Sequence, residues 1–244
     1  NEGRLNSFLM EISAEIMKQP DDKKSGDLID AILDKAKQKG TGKWTSQTSM
    51  DLGVPVPTID SAVAMRGISS FKPFREQLSE TFTIPHKGEV TIKGEGLEND
   101  VEAALYFSFI VCYAQGMHLL AEASEELKYD LDLEGIARIW RGGCIIRATL
   151  LEQIRKAYSA DSSLKNMLGN EQFAGSLQST RNAAAEVLRL SVERGVSTMC
   201  LSSALQYFDA MRSARLPLNL VQGQRDNFGS HTYERIDEGG TFHT

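Results

Sequence analysis

The stretch AALYFSFIVCYA, Ala103 to Ala114, is the longest nearly apolar run in the chain, and Gln115 ends it. A helix with almost no polar face belongs in the interior of a protein. At 12 residues the run falls short of the roughly 20 that a membrane span needs. It is read as the centre of a long core helix, from about Asp100 to Lys128. The segment Val101–Leu120 also carries more apolar surface than a monomer buries along one side of a helix, which predicts a dimer.

Working outward, helical periodicity dominates. Leu5, Phe8, Leu9, Ile12 and Ile16 share one helical face, and Pro20-Asp21-Asp22 stops that helix. Asp27 caps a second helix, with Leu28, Ile29, Ile32, Leu33 and Ala36 as its stripe. After Pro55 and Pro57, Thr58 caps a helix through Ala62, Met65 and Arg66 toward Ser70, where Pro73 interrupts it. Residues 84–99 read as a loop, with a short strand at Val90 and Ile92 and a solvated His86. Downstream, a helix from Asp132 or Leu133 carries IWRGGCIIRATLLEQI, with Gly142-Gly143 permitting close packing and Trp140 in the core. His118, on the buried side of the long helix, reads as a satisfied core histidine. Further helices fit Ser163–Leu168, Ala183–Arg194 and Ser197–Arg212. Pro217 ends the pattern, and from Gln222 the chain is polar and aperiodic. No βαβ alternation occurs, so no parallel sheet is expected. The fold class is all-α: a large helical domain, residues 1–221, and an extended C-terminal tail, residues 222–244.

The bulk numbers are those of a globular protein: 244 residues, 41% hydrophobic and 25% charged, with net charge −6. That charge argues against a general nucleic-acid binder. Cys112, Cys144 and Cys200 form no CxxC pair and suit a reducing compartment, the cytoplasm or a plastid. No Cys, His or Asp cluster has metal-ligand spacing, so no metal is expected. NEGRLNSFLMEIS lacks the basic region and continuous apolar core of a secretory signal. It starts inside a helical pattern without a methionine, as a fragment or processed chain would.

Two stretches carry chemistry. QKGTGKW (Gln38–Trp44) is not a nucleotide P-loop: Trp44 stands where Ser or Thr is needed, Lys37 replaces the first glycine, and no strand precedes it. It still suits an anion. Its glycines let backbone N–H groups converge, Thr41 offers a hydroxyl, Lys39 and Lys43 offer charge, and a helix follows. QRDNFGSHT (Gln224–Thr232) adds Arg225, able to grip a phosphate or carboxylate in a fork, and His231, able to hydrogen-bond or move a proton. Phe228, Tyr233 and Phe242 would anchor this tail on a partner.

The run ILDKAKQKGTGKWTSQTSMDLGVPVPTI, with AVAMRGISSFK, IWRGGCIIRA and QRDNFGSHTYER, resembles 6-phosphogluconate dehydrogenases. It resembles the carboxy-terminal, all-helical half of those enzymes, over essentially the whole chain and in the same order. The KGTGKW and QRDxFGxHTY signatures are absent from the related β-hydroxyacid dehydrogenases. Lys37 departs from the small residue usual there. The resemblance implies that Lys39, Thr41 and Arg66 bind substrate, and that Arg225 and His231 do so from the other subunit of a homodimer. It implies NADP as cofactor and 6-phosphogluconate as substrate, with no nucleic acid and no membrane as partners. The implied reaction belongs to the pentose phosphate pathway: hydride leaves C3, the 3-keto acid loses CO₂, and the resulting enediol is protonated to ribulose 5-phosphate. The base and acid, a lysine and a glutamate, and the dinucleotide-binding domain would lie upstream of this sequence, so no catalytic residue is assigned within it. The family also continues past the point where this sequence stops. The competing reading is a non-catalytic helical dimerisation or anion-binding module.

Overall fold

The computed structural model describes residues 2–83 and 96–244. These form helices α1 (Phe8–Met17), α2 (Leu28–Ala31), α3 (Thr41–Asp51), α4 (Pro57–Ser69), α5 (Lys72–Thr81), α6 (Gly96–Glu126), α7 (Leu133–Ile139), α8 (Leu150–Ala160), α9 (Glu171–Glu193), α10 (Met199–Met211) and α11 (Leu218–Gly229). A 3-10 turn covers Met167–Gly169, and β1 (Tyr233–Glu234) pairs antiparallel with β2 (Thr241–Phe242). The fold is all-α, as the sequence predicts. The strand expected at Val90 and Ile92, and His86, lie outside the described residues. The chain forms two compact units, Asn1–Leu205 and Gln206–Thr244.

In the first unit the core is built on α6, packed along α9, with the 3-10 turn seated on both. Tyr106, Phe107, Ile110, Val111, Ala114 and Met117 of α6 are buried, as are Phe173, Leu177 and Ala184 of α9. Each fully buried Ile, Leu or Phe contributes about 1.5–3 kcal/mol. By length and composition α6 could cross a membrane, but half of its most apolar window is buried inside the chain's own fold. Half of that window is thus covered within one chain, and Val101 and Leu105 are the exposed large apolar residues of α6. The exposed apolar surface lies mainly elsewhere.

The buried Gln115 is the polar joint of this core. Its Oε1 accepts from the Thr58 N–H and its Nε2 donates to Thr58 Oγ1, both at 2.9 Å. A side chain of α6 thereby satisfies an N–H at the start of α4, a position that has no partner within its own helix. Pro57, at the first position of α4, is pre-shaped for that role.

Several elements differ from the sequence reading. α2 is one turn long, with Ile32 and Leu33 exposed beyond it; its stripe meets α1 but buries no residue, and little packing supports a longer helix. Pro73 opens α5 from inside its first turn rather than only stopping α4. α7 ends at Ile139 and α8 starts at Leu150. Gly142 and Gly143 therefore sit in a turn, Gly143 with φ +67°; Gly142 has open space around it and Trp140 is only half-buried. Ser163–Leu168 is not an α-helix; its last two residues, Met167 and Leu168, begin the 3-10 turn. α9 begins at Glu171, well before the expected Ala183, because Asn170 caps it by accepting from the Gln172 N–H. His118 lies 3.6 Å from Glu122 through Nε2, but among the described residues its buried Nδ1 has no hydrogen-bond partner, so it is not the fully satisfied core histidine the sequence suggests.

The second unit is not an extended tail throughout. Pro217 precedes α11, which runs through Arg225 to Gly229. Tyr233 and Phe242 stack on each other across the hairpin with centroids 6.2 Å apart. Of the three expected aromatic anchors, only Phe228 remains well exposed, at 74%.

Candidate functional site

The first cluster is assembled by α3 and α4. Gly40 caps α3 with φ +107°, a left-handed conformation that favours glycine, and supplies no side-chain acceptor. The N–H groups of Thr41, Gly42 and Lys43 begin the helix, where no intrahelical acceptor exists. Gly42 has a different reason to be glycine: a Cβ there would stand 2.9 Å from Val63 Cγ2 of α4. Its absence lets the first turn of α3 lie against α4. Ser46 Oγ donates to Asp60 Oδ1 at 2.6 Å and ties the two helices further along.

The segment before α3 is irregular but held. Asp34 receives Lys72 Nζ and Arg75 Nη1, each at 2.9 Å. Those bonds, from Arg75 first and then Lys72, draw its carboxyl down from the usual range to about 2. The Ala36 N–H donates to Ser69 Oγ at 3.0 Å, and Ser69 Oγ is 2.7 Å from the Arg66 carbonyl. The loop carrying Lys39 is thereby stitched to the end of α4 that carries Arg66.

Lys39, Gly40, Thr41, Gly42 and Arg66 line one cavity of about 430 Å³, floored by Ile59, Ala62 and Val63. Among the described residues no carboxylate, imidazole or thiol lines it. Most arginines of this acidic chain are bound to Glu or Asp, as at Arg4, Arg75, Arg147, Arg155 and Arg189. Among the described residues, Lys39 and Arg66 have no such partner. Lys37 lines the same cavity, and three cations, a hydroxyl and a helix N-terminus on one concave surface are chemistry that suits a polyanion.

The second unit carries Arg225 and His231. Arg225, on α11, donates from Nη1 to Gln222 Oε1 at 3.1 Å, while Gln222 Nε2 donates to the Thr232 carbonyl at 2.5 Å. The exposed His231 ring lies edge-on to Phe228, centroids 6.3 Å apart. It packs over Gly229, where a Cβ would be 2.9 Å from the ring. The structure thus brings Lys39, Thr41 and Arg66 together on one cavity, and places Arg225 and His231 in the other unit, with Arg225 linked through Gln222 to the Thr232 carbonyl beside His231. The sequence reading missed Asp226. Its carboxylate is buried and accepts from the Thr232 and Thr244 N–H groups at 2.8 Å, with His243 Nδ1 also at 2.8 Å. Burial would push that carboxyl up, but the bonds from His243, Thr244 and Thr232 outweigh it and hold it below its ordinary value. Its place inside the QRDNFG signature was the only hint. Among the described residues no group of three or more His, Cys, Asp or Glu side chains could hold a metal ion.

Comparisons with known proteins agree on one family. The model of the 6-phosphogluconate dehydrogenase C-terminal domain matches residues 1–244. The decarboxylating 6-phosphogluconate dehydrogenase of Lactococcus lactis subsp. lactis is 46% identical over 243 residues, 100% of this chain and 51% of that protein. The NADP(+)-dependent decarboxylating enzyme of Bacillus subtilis is 47% identical over 244 residues, 100% of this chain and 52% of that protein. Among solved structures, Plasmodium falciparum 6-phosphogluconate dehydrogenase superposes with a TM-score of 0.93 at 41% identity, covering 100% of this chain and 52% of that one. That enzyme was solved in its apo form, with its cofactor NADP+ and with its substrate 6-phosphogluconate. The chain spans about half the length of the curated relatives it matches.

Proposed function

The chain belongs to the 6-phosphogluconate dehydrogenase C-terminal domain family, and from that premise we propose that it is the substrate-holding and dimerising half of an NADP-dependent, decarboxylating 6-phosphogluconate dehydrogenase. The observation that carries this reading is the cavity where Lys39, Thr41 and Arg66 meet the start of α3 with no acidic partner. The substrate offers a phosphate dianion and a carboxylate, and each charge-assisted hydrogen bond to such groups contributes roughly 1.5–3 kcal/mol. Lys39, Thr41 and Arg66 act from one subunit. Residues 222–244 reach the partner's cavity, where Arg225 grips the phosphate and His231 hydrogen-bonds the substrate and fixes its orientation. NADP sits mainly in a domain upstream, which also supplies the general base and acid; this chain's part is binding, orientation and charge neutralisation around C3. The enzyme works as a homodimer in the cytoplasm, without nucleic acid or membrane. Its free cysteines suit a reducing compartment, and burial pushes the Cys112 thiol up to about 11, where it is inert.

The test mixes two full-length variants, Lys39→Ala and Arg225→Ala, each impaired at low substrate. Arg225→Ala is expected to raise KM about 10²-fold if about 2–3 kcal/mol of uniform binding is lost. With shared sites, each heterodimer has one site carrying both lesions and one carrying neither, so subunit exchange restores up to half the activity. If all these residues served one subunit's site, every site would keep a lesion. No recovery after confirmed exchange would then overturn the cross-subunit assignment.

A further inference from the structure

We propose that Asp226 is the positioning residue of His231: its buried side chain and its carbonyl hold the left-handed turn that aims the imidazole. This rests on the reading of His231 as a substrate contact.

His231 lies between Ser230, φ +51°, and Thr232, φ +60°. Neither is glycine, and for a β-branched residue such as threonine a left-handed backbone is a true outlier. Such residues persist only where the surroundings over-determine them. Here both flanking amides end on one residue. The Ser230 N–H donates to the Asp226 carbonyl at 2.7 Å, and the Thr232 N–H donates to Asp226 Oδ1 at 2.8 Å. The carboxylate is itself braced, by the Thr244 N–H on Oδ2 and by His243 Nδ1 on Oδ1, each at 2.8 Å. It is fully buried, so it does not face a ligand and acts only through what it holds. Among the described residues the His231 ring makes no hydrogen bond of its own. Its direction is set by the turn and by packing on Gly229 and Phe228, which leaves its ring nitrogens free for a substrate. The Gln222 bond to the Thr232 carbonyl extends the same network to Arg225.

The test is a double-mutant cycle in the full-length protein, read as KM for 6-phosphogluconate and kcat at saturating NADP+. Asp226→Ala is expected to raise KM about tenfold in the wild-type background, and by less than about twofold when His231→Ala is already present. Asp226→Asn, which keeps an acceptor for the Thr232 N–H, should fall between wild type and Asp226→Ala. An equal loss in both backgrounds would mean that Asp226 supports the fold and not His231, and would overturn the proposal. An unchanged KM in His231→Ala alone sinks the substrate-contact reading; a raised KM there, uncoupled from Asp226, sinks the positioning role only. Should Asp226→Ala fail to fold, His243→Ala removes one brace of the carboxylate, and the same cycle is run on it. Coupling of His243→Ala to His231→Ala supports the proposal and additivity overturns it.

Discussion

At the scale of single residues, the two glycines of KGTGKW do unlike things. Gly40 is glycine for its backbone and Gly42 for the Cβ it lacks. The second role yields a sharp prediction. Gly42→Ala should improve intrinsic helix propensity by up to about 1 kcal/mol. Yet the new methyl meets Val63 Cγ2 at 2.9 Å, an overlap that costs about 1–3 kcal/mol when the neighbours cannot yield. The first turn of α3 should move off α4, and KM for 6-phosphogluconate in the full-length protein should rise severalfold with little change in kcat. Adding Val63→Ala makes room and should return KM toward wild type. A double variant as impaired as Gly42→Ala alone would show that the methyl acts through something other than this contact. The sequence marked Lys39 and Thr41 as residue types suited to an anion, and the family resemblance added Arg66. It gave no sign that Val63 sets how closely they approach.

At the scale of elements, the strength of a helix here follows what covers it. α6 and α9 cover each other and run long; α2 has the apolar stripe of a helix but meets only the exposed α1, buries none of its residues, and stops after a turn. The joint between α6 and α4 is polar, and its worth can be measured. Gln115→Leu conserves volume but strands the Thr58 N–H and hydroxyl in a buried place. The expected loss is about 1–3 kcal/mol, read as a lower urea midpoint at unchanged m-value. A neutral result would mean that Thr58 finds another partner and that α4, with Arg66 on it, does not depend on α6 for its seat.

At the scale of the molecule, most exposed large apolar side chains belong to elements other than α6. Phe71, Phe74 and Phe82 flank or lie on α5, Met17 ends α1, and Leu33 follows α2, all more than half exposed. Phe228 and Ile236 add to them in the second unit. Where such side chains adjoin one another they make faces that other parts of an assembly can cover. The full-length protein should sediment as a dimer at micromolar concentration, through an interface burying on the order of 2,000 Å² or more. A clean monomer under those conditions would contradict the shared-site proposal as well as the dimer.

What the sequence determined by itself was whatever local chemistry and periodicity decide. The apolar run at Ala103–Ala114 demanded a buried helix, the lack of βαβ alternation excluded a parallel sheet, and the glycines of KGTGKW demanded a turn opening a helix. The all-α class follows from those features alone; that the loop suits an anion follows from its residue types, and its assignment to a substrate rests on the family resemblance. Only the tertiary structure decided the rest. Whether Ile32 and Leu33 extend a helix depends on a covering surface contributed from elsewhere, not on their own spacing. Whether Gly142-Gly143 packs or turns depends on the backbone reaching φ +67° at Gly143. That Asp226 is buried depends on His243 and Thr244, 17 and 18 positions along the chain, folding back onto it. Long-range contacts of this sort leave no period in the sequence. Each is fixed by the balance of desolvation against hydrogen bonding that only the assembled chain provides.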